Sequence, residues 1–179
     1  MVENINIVLP YLVLVFHAVF VVTIAAFIFR HSWGRTIQMF VGKNAMVLAG
    51  LISLVAVLGS LFYSEVVGFE PCVLCWWQRV FLYPLVIIFG VALWKKATSA
   101  FLYATPLALG AAIIAAYHSY VYMGGASILP CTALGGACSK IYVMAFGYIT
   151  IPMMSLTIAL YILLLAWAHK IYAKNHPHS

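Results

Sequence analysis

Five long apolar segments, separated by short polar connections, constrain the fold of this chain more than any other feature. They extend over roughly residues 7–29, 45–63, 80–94, 101–122 and 146–168. A helix that crosses a bilayer needs about 20 apolar residues, and the third segment reaches that length if its helix starts near Cys72. Only 7% of the residues are charged, whereas soluble domains carry about 25%. The pattern therefore predicts an all-α membrane protein with five transmembrane helices.

The first segment has the position of a signal peptide, but we interpret it as a retained span. It is too long for the apolar part of a signal peptide, and no positive charge precedes it. No small-residue cleavage site follows it either. We therefore expect this helix to remain in the mature protein.

The charged residues predict an orientation in the membrane. Seven of the nine lysines and arginines fall on one side of the predicted spans, namely Arg30, Arg35, Lys43, Lys95, Lys96, Lys170 and Lys174. The three acids fall on the other side, namely Glu3, Glu65 and Glu70. Since basic residues concentrate on the cytoplasmic side, we expect the N-terminus outside and the C-terminus inside. Residues 64–71 and 123–142 then face outward.

A cysteine motif opens the third span, where residues 71–79 read PCVLCWWQR. Cys72 and Cys75 close a very small ring when oxidised, and labile disulfides of this type suit catalysis. A helix N-terminus favours the thiolate form of a cysteine. Arg79 shares a helical face with both cysteines and can favour the anionic form of Cys75. The alternative is that Arg79 only extends to lipid headgroups.

Three further side chains are candidates at the same depth. Trp76 and Trp77 either form an interfacial aromatic belt or wall a flat, apolar cofactor pocket. Gln78 either donates a hydrogen bond to such a ligand or faces water. His118, near the outer end of the fourth span, can donate to a carbonyl oxygen or relay protons. The alternative for His118 is an interfacial histidine bonded to water or backbone.

All four cysteines fall on the outer side, where disulfides persist. Cys131 and Cys138 lie in a loop with glycines on both sides. Four cysteines allow three connectivities, of which the local pairings 72–75 and 131–138 are the simplest. The outer pair is either a structural staple or a disulfide that the loop presents to an incoming thiol.

The string Pro-Cys-x-x-Cys-x-x-x-Arg at a helix entrance, together with the outer cysteine pair and the topology, resembles the disulfide bond formation protein B family. The resemblance covers about residues 45–168 and implies a four-helix transmembrane bundle plus one additional N-terminal transmembrane helix. Residues 1–44 would form the extra helix and a cytoplasmic loop, and residues 45–170 the thiol oxidase core with the outer loop 123–142. Residues 171–179 would be a cytoplasmic tail. Members of this family lie in the bacterial cytoplasmic membrane.

The resemblance also implies a role for each cysteine. Cys75 is similar to the family cysteine that engages a quinone, and Cys72 to its redox partner and link to the outer pair. Cys131 is similar to the cysteine that the reduced protein partner attacks, and Cys138 to its resolving mate. Because the 131–138 ring is short, we expect that the loop must swing over the helix mouth to reach the inner pair.

Three other positions are expected to contact the quinone. Arg79 and His118 resemble family residues beside the quinone, and Trp76 is the candidate for a wall of its pocket. The expected function is that of a protein-dithiol:quinone oxidoreductase. It would reoxidise an extracytoplasmic, thioredoxin-fold, DsbA-like thiol oxidoreductase and reduce ubiquinone or menaquinone, in contact with membrane lipid.

Two other classes of protein compete with this interpretation. Four outward thiolates could hold copper(I) or zinc in a soft-metal-binding membrane protein, although Arg79 is a poor neighbour for a cation. The cysteines could also only staple the loops of a structural subunit. The net charge of +6 does not indicate nucleic-acid binding, because no basic patch interleaved with aromatic residues accompanies it. The extra first span either binds another subunit or shields the bundle.

Overall fold

A computed structural model describes residues 2–28, 32–126, 138 and 141–175 of the chain. Its elements in chain order are α1 (Val2–Ile28), α2 (Ser32–Leu61), a π-helical turn (Phe62–Val66), α3 (Val73–Lys95), α4 (Ala100–Tyr122), β1 (Met144–Ala145), β2 (Ile149–Thr150) and α5 (Ile151–Asn175). All five helices are long and apolar enough to cross a membrane. The predicted all-α membrane fold is therefore confirmed, and the short antiparallel hairpin of β1 and β2 is its one addition within the described chain.

Helices α2 to α5 form a bundle in which α2 packs against α3 and α5, and α4 also packs against α3 and α5. Four alanines at helical spacing on α4 are completely buried in it, namely Ala104, Ala108, Ala111 and Ala115. Small side chains let membrane helices approach closely, which replaces the hydrophobic driving force that lipid does not supply. The large buried residues Leu85 and Phe89 of α3 and Ile162 of α5 belong to the same core cluster.

Two helix boundaries differ from those that hydropathy predicts. Helix α2 begins at Ser32 rather than near residue 45, so Arg35 and Lys43 lie on the helix, because a helix can continue beyond the apolar stretch. Helix α5 begins at Ile151 rather than near residue 146. The residues before it form the hairpin, whose turn contains Phe146 at φ 51° and Gly147 at φ 75°.

The cysteine-bearing segments meet at one end of the bundle. The Tyr142 hydroxyl donates to the carbonyl of Glu70 at 3.4 Å, which joins the segment before α3 to the segment before β1. Near the amino end of α1, the Tyr11 ring packs edge-on against Phe146 at 5.3 Å. The amino end of α1 therefore lies at the same end of the bundle as Cys72.

Helix α1 is attached to α5 by polar side chains as well as by packing. His17 Nε2 donates to Thr157 Oγ1 at 2.7 Å, since the Thr157 hydroxyl itself donates to the Met153 carbonyl. The Tyr148 hydroxyl donates to His17 Nδ1 at 3.4 Å. Because hydrocarbon offers no competing partners for these groups, they fix the register of α1 against the bundle.

Candidate active site

Cys72 and Cys75 lie where α3 begins, as the sequence predicts. Cys72 is the N-cap residue, with extended backbone at φ −75° and ψ 173°, and its carbonyl accepts from the Trp76 amide at 3.1 Å. The two Sγ atoms are 3.3 Å apart, with the Cys72 thiol donating to Cys75. This is a dithiol in contact, already close to the geometry in which a disulfide closes.

A chain of hydrogen bonds that passes through His118 of α4 leads to the two sulfurs. Gln78 Nε2 donates to His118 Nδ1 at 2.8 Å, so the neutral imidazole carries its proton on Nε2. His118 Nε2 lies 3.6 Å from Cys72 Sγ, and Cys72 in turn donates to Cys75. Gln78, His118 and Cys72 are all buried. Each member donates to the next, and the line ends on Cys75 Sγ, which accepts as a thiolate does.

The environment of Cys72 keeps its proton in place. The hydrogen bond to Cys75, followed by burial, raises the pKa of Cys72 to about 12, while the hydrogen bond with His118 acts in the opposite direction. Because only a thiolate is a strong nucleophile, Cys72 is a poor nucleophile at neutral pH in this form. The two cysteines are thus chemically distinct.

Arg79 is held on the inner side of the motif by α2. Its Nε donates to Ser60 Oγ at 3.1 Å and its Nη2 donates to the Ser60 carbonyl at 3.3 Å. The Tyr83 hydroxyl donates to the same Ser60 Oγ at 3.1 Å. The guanidinium also lies over the Trp76 ring at 5.2 Å and interacts electrostatically with Cys75. These contacts fix the guanidinium inside the protein.

The two tryptophans of the motif face outward. Trp76 is 56% exposed and Trp77 is 49% exposed, and neither belongs to the cavity wall among the described residues. This is the position of an interfacial aromatic belt. Trp76 contributes to the site through its contact with the guanidinium of Arg79.

The outer segment already reaches the motif. Cys138 is 2% exposed and packs in one cluster with Cys72, Leu74 and Val121. The sequence predicts a loop that must swing over the helix mouth, whereas the structure has Cys138 there already. Cys131 lies outside the described residues.

The segment before β1 is anchored by the Tyr122 hydroxyl at the end of α4. This hydroxyl accepts from the Tyr142 amide at 2.8 Å and donates to the Val143 carbonyl at 3.1 Å. Both bonds join α4 to the chain that follows the outer loop, so they hold that chain close to the cysteine motif.

A cavity of about 450 Å³ extends from the sulfurs into the membrane region. At one end it is lined by Cys75, Arg79 and His118, and further in by apolar side chains of α2 and α5. Its volume lies in the usual range of about 300–1,000 Å³ for ligand pockets. An apolar pocket with a few convergent polar groups is the usual form of a small-molecule site.

Several residues of this site escape sequence reasoning. Ser60, Tyr63 and Tyr83 line the cavity but belong to no motif. Their only signal in the sequence is that polar groups interrupt the outer ends of apolar spans. The sequence allows Gln78 either to donate to a ligand or to face water, whereas in the structure it donates to His118.

The same groups include a possible metal-binding set. The ligand atoms of Cys72, Cys75 and His118 lie within 4.8 Å of one another. Sulfur and imidazole nitrogen are the donors that zinc and copper(I) prefer.

Comparison with known proteins identifies relatives of the chain. A family model described as "Disulfide bond formation protein DsbB" matches residues 42–169. "Disulfide bond formation protein C" of Bacillus subtilis (strain 168) is 40% identical over 119 residues, which cover 64% of this chain and 86% of the relative. "Probable disulfide formation protein" of Metapseudomonas resinovorans is 38% identical over 115 residues, 63% of this chain and 80% of the relative. No solved structure matches the chain.

The matched region runs from within α2 to within α5 and includes all of α3 and α4, and α1 lies ahead of it. The resemblance seen in the sequence is therefore confirmed. The chain belongs to the disulfide bond formation protein DsbB family, and is a multi-pass membrane protein with an oxidoreductase role in disulfide formation.

Proposed function

We propose that this chain is a protein-dithiol:quinone oxidoreductase of the bacterial cytoplasmic membrane. It takes two electrons from the dithiol of an extracytoplasmic, DsbA-like, thioredoxin-fold partner and passes them to ubiquinone or menaquinone. Both cysteine pairs and the N-terminus face outward in this proposal. One observation carries it: Cys75 and Arg79 together line a largely apolar cavity.

The residues of this cavity fit a quinone. A quinone is a flat ring with two carbonyl acceptors and an apolar tail. Arg79 has further N–H donors beside Cys75, and α2 and α5 supply apolar walls. When bound, a quinone accepts the two electrons and two protons that oxidation of two thiols to a disulfide releases.

Cys72 and Cys75 have different roles in the proposed reaction. Both cysteines line the cavity, but Cys75 Sγ accepts the hydrogen bond from Cys72 and interacts electrostatically with Arg79, so we assign delivery of the electron pair to Cys75. Closing the 72–75 disulfide then requires Cys72 to lose its proton. His118 Nε2–H, at 3.6 Å, stabilises the negative charge that develops on Cys72 at that moment.

The outer pair connects the inner pair to the protein partner. A partner thiolate attacks Cys131 of the 131–138 disulfide, and the second partner thiol releases Cys131 as the partner's own disulfide closes. The reduced outer pair then transfers its electrons to the 72–75 disulfide by exchange. The burial of Cys138 against Cys72 supports a direct transfer between the two pairs.

The test is quinone reduction by the purified protein, followed by ultraviolet absorbance, with a reduced thioredoxin-fold dithiol as donor. Wild type is compared with Cys75→Ser and Cys131→Ser, using short-tailed ubiquinone and menaquinone. Turnover by wild type with loss in both variants supports the proposal. A wild type that reduces neither quinone contradicts it.

A second candidate function is binding of a soft metal by Cys72, Cys75 and His118, whose ligand atoms lie within 4.8 Å of one another. The positive charge of Arg79 in the same cavity disfavours a cation there. Elemental analysis of the reduced protein after mild purification separates the two functions. One equivalent of copper or zinc that is lost in His118→Ala would favour the metal.

A further inference from the structure

Tyr63 carries a buried hydroxyl that has no role in the reaction steps proposed above. The residue is 8% exposed, and its hydroxyl has no hydrogen-bond partner within the part of the chain that the structure describes. It lines the same cavity as Cys75 and Arg79. Buried polar groups are almost always bonded, so an exception calls for an explanation.

The Tyr63 side chain lies close to the cysteine motif. Ser60, which binds Arg79, precedes Tyr63 by one helical turn, so the two side chains share a face. The Tyr63 ring stacks on Phe69 with centroids 5.6 Å apart and planes at 8°, and Phe69 stacks on Tyr142 at 4.5 Å. Phe69 lies three positions before Cys72. The stack holds the Tyr63 ring close to the motif in a fixed orientation.

The backbone at Tyr63 is also specialised. Residues Phe62–Val66 form a π-helical turn, a feature that occurs often at functional sites. The wider turn ends α2 just where the chain leaves for the cysteine motif, and the Phe69 amide donates to the Tyr63 carbonyl at 2.9 Å. The turn therefore positions the Tyr63 side chain and the segment before Cys72 together.

We propose that Tyr63 is a quinone-binding residue whose hydroxyl donates a hydrogen bond to a carbonyl oxygen of the bound ring. This inference rests on the proposed function. A phenolic hydroxyl is a good donor, and a carbonyl acceptor satisfies it without adding charge to an apolar cavity. The bond orients the ring relative to Cys75 and strengthens as negative charge develops on the oxygen.

The test is Tyr63→Phe, which removes the hydroxyl and keeps the ring. Binding of a short-tailed ubiquinone and of a short-tailed menaquinone is measured at equilibrium by quenching of tryptophan fluorescence, beside wild type and the control Tyr103→Phe. Tyr103 is 62% exposed on α4 and lies away from the cavity wall. We expect the Kd to rise about 2- to 12-fold in Tyr63→Phe, the range for one net hydrogen bond, and to stay unchanged in the control.

The melting temperature without quinone separates a role of Tyr63 in binding from a role in stabilising the fold. Without quinone, Tyr63→Phe should melt at the wild-type temperature or above, because an unpartnered hydroxyl has been removed. An unchanged Kd, or a ligand-free variant that is less stable than wild type, overturns the role of Tyr63 alone. If wild type binds no quinone, the proposed function fails and the role of Tyr63 fails with it.

A second inference rests on α1, which lies outside the family match. Leu12, Val13 and Phe16 of this helix line the cavity between α2 and α5. The Tyr161 hydroxyl donates to the Phe16 carbonyl, which holds this part of α1 against α5. We infer that α1 closes the side of the cavity and contacts the alkyl tail of the bound quinone.

The test compares Phe16→Ala with Phe40→Ala, whose ring is 65% exposed on α2, in binding of a long-tailed ubiquinone and its tail-less head group. Phe16→Ala should weaken binding of the tailed quinone about 2- to 5-fold, since only dispersion contacts are lost, and leave the head group unaffected. Equal effects on both ligands, or no effect on either, overturn the inference. Failure of wild type to bind either ligand instead rejects the quinone function.

Discussion

Replacing Ser60 by alanine tests whether the position of Arg79 matters for the proposed electron transfer. Ser60 Oγ accepts from Arg79 Nε at 3.1 Å and from the Tyr83 hydroxyl at 3.1 Å. The substitution removes this shared acceptor without touching any cysteine. The guanidinium keeps its bond to the Ser60 carbonyl at 3.3 Å, so Arg79 stays in the cavity but loses its fixed orientation.

The magnitude follows from the bond that is lost. A hydrogen bond to a charged group contributes about 1.5–3 kcal/mol. Because one of the two bonds from Arg79 to Ser60 remains, we expect the lower end of that range. About 1.5 kcal/mol corresponds to a decrease of about tenfold in kcat/KM for the quinone. Thiol exchange with the protein partner should stay unchanged, since it takes place at the outer pair.

The assay measures quinone reduction over a range of quinone concentrations, and partner oxidation separately without quinone. The matched control is Ser53→Ala on the same helix. Ser53 is buried, and among the described residues its hydroxyl donates to the carbonyl of Ala49 in its own helix, at 2.7 Å. If Ser60→Ala keeps the wild-type kcat/KM, or if both variants lose it equally, the positioning role assigned to Ser60 is refuted.

Three further predictions concern pH, packing and the outer segment. In the reduced protein, alkylation of Cys72 should be slow at neutral pH and still rise above pH 9, because the pKa of Cys72 is raised to about 12. Cys75→Ala should shift this rise to lower pH, because it removes the hydrogen bond to Cys75 that is the largest cause of the raised pKa. Gly42→Ala should lower the melting temperature at a cost of about 1–3 kcal/mol, since its Cβ would lie 2.6 Å from a side-chain carbon of α5. Gly59→Ala is its control, because that Cβ meets nothing within 4 Å. Tyr122→Phe should speed hydrogen exchange at the backbone amide of Tyr142, because this amide donates to the Tyr122 hydroxyl at 2.8 Å.

The number and type of helices could be predicted because hydropathy reports directly on membrane depth. The ends of α2 and α5 could not, because hydropathy does not report where a helix stops. Arg35 and Lys43 are polar yet helical, since a helix can extend past the hydrocarbon. Phe146 is apolar yet lies in a turn, because Gly147 follows it and both adopt positive φ.

The candidate site could likewise be predicted from the sequence only in part. The face shared by Cys72, Cys75 and Arg79 follows from spacing on one helix, which sequence states directly. The bonds from Ser60 to Arg79 and from Gln78 to His118 join side chains 19 and 40 positions apart. Such pairs depend on how α2, α3 and α4 pack, and a single sequence carries no record of that packing.

The arrangement of Cys72, Cys75 and Arg79 bears on the direction of electron transfer in the proposed cycle. Cys138 packs in one cluster with Cys72 and Cys75, and the guanidinium of Arg79 interacts electrostatically with Cys75. When an outer thiolate attacks the 72–75 disulfide at Cys72, the sulfur that leaves is Cys75. A leaving thiolate departs faster when its negative charge is stabilised, and the guanidinium of Arg79 lies beside this one. The arrangement thus favours entry of electrons at Cys72 and their exit from Cys75.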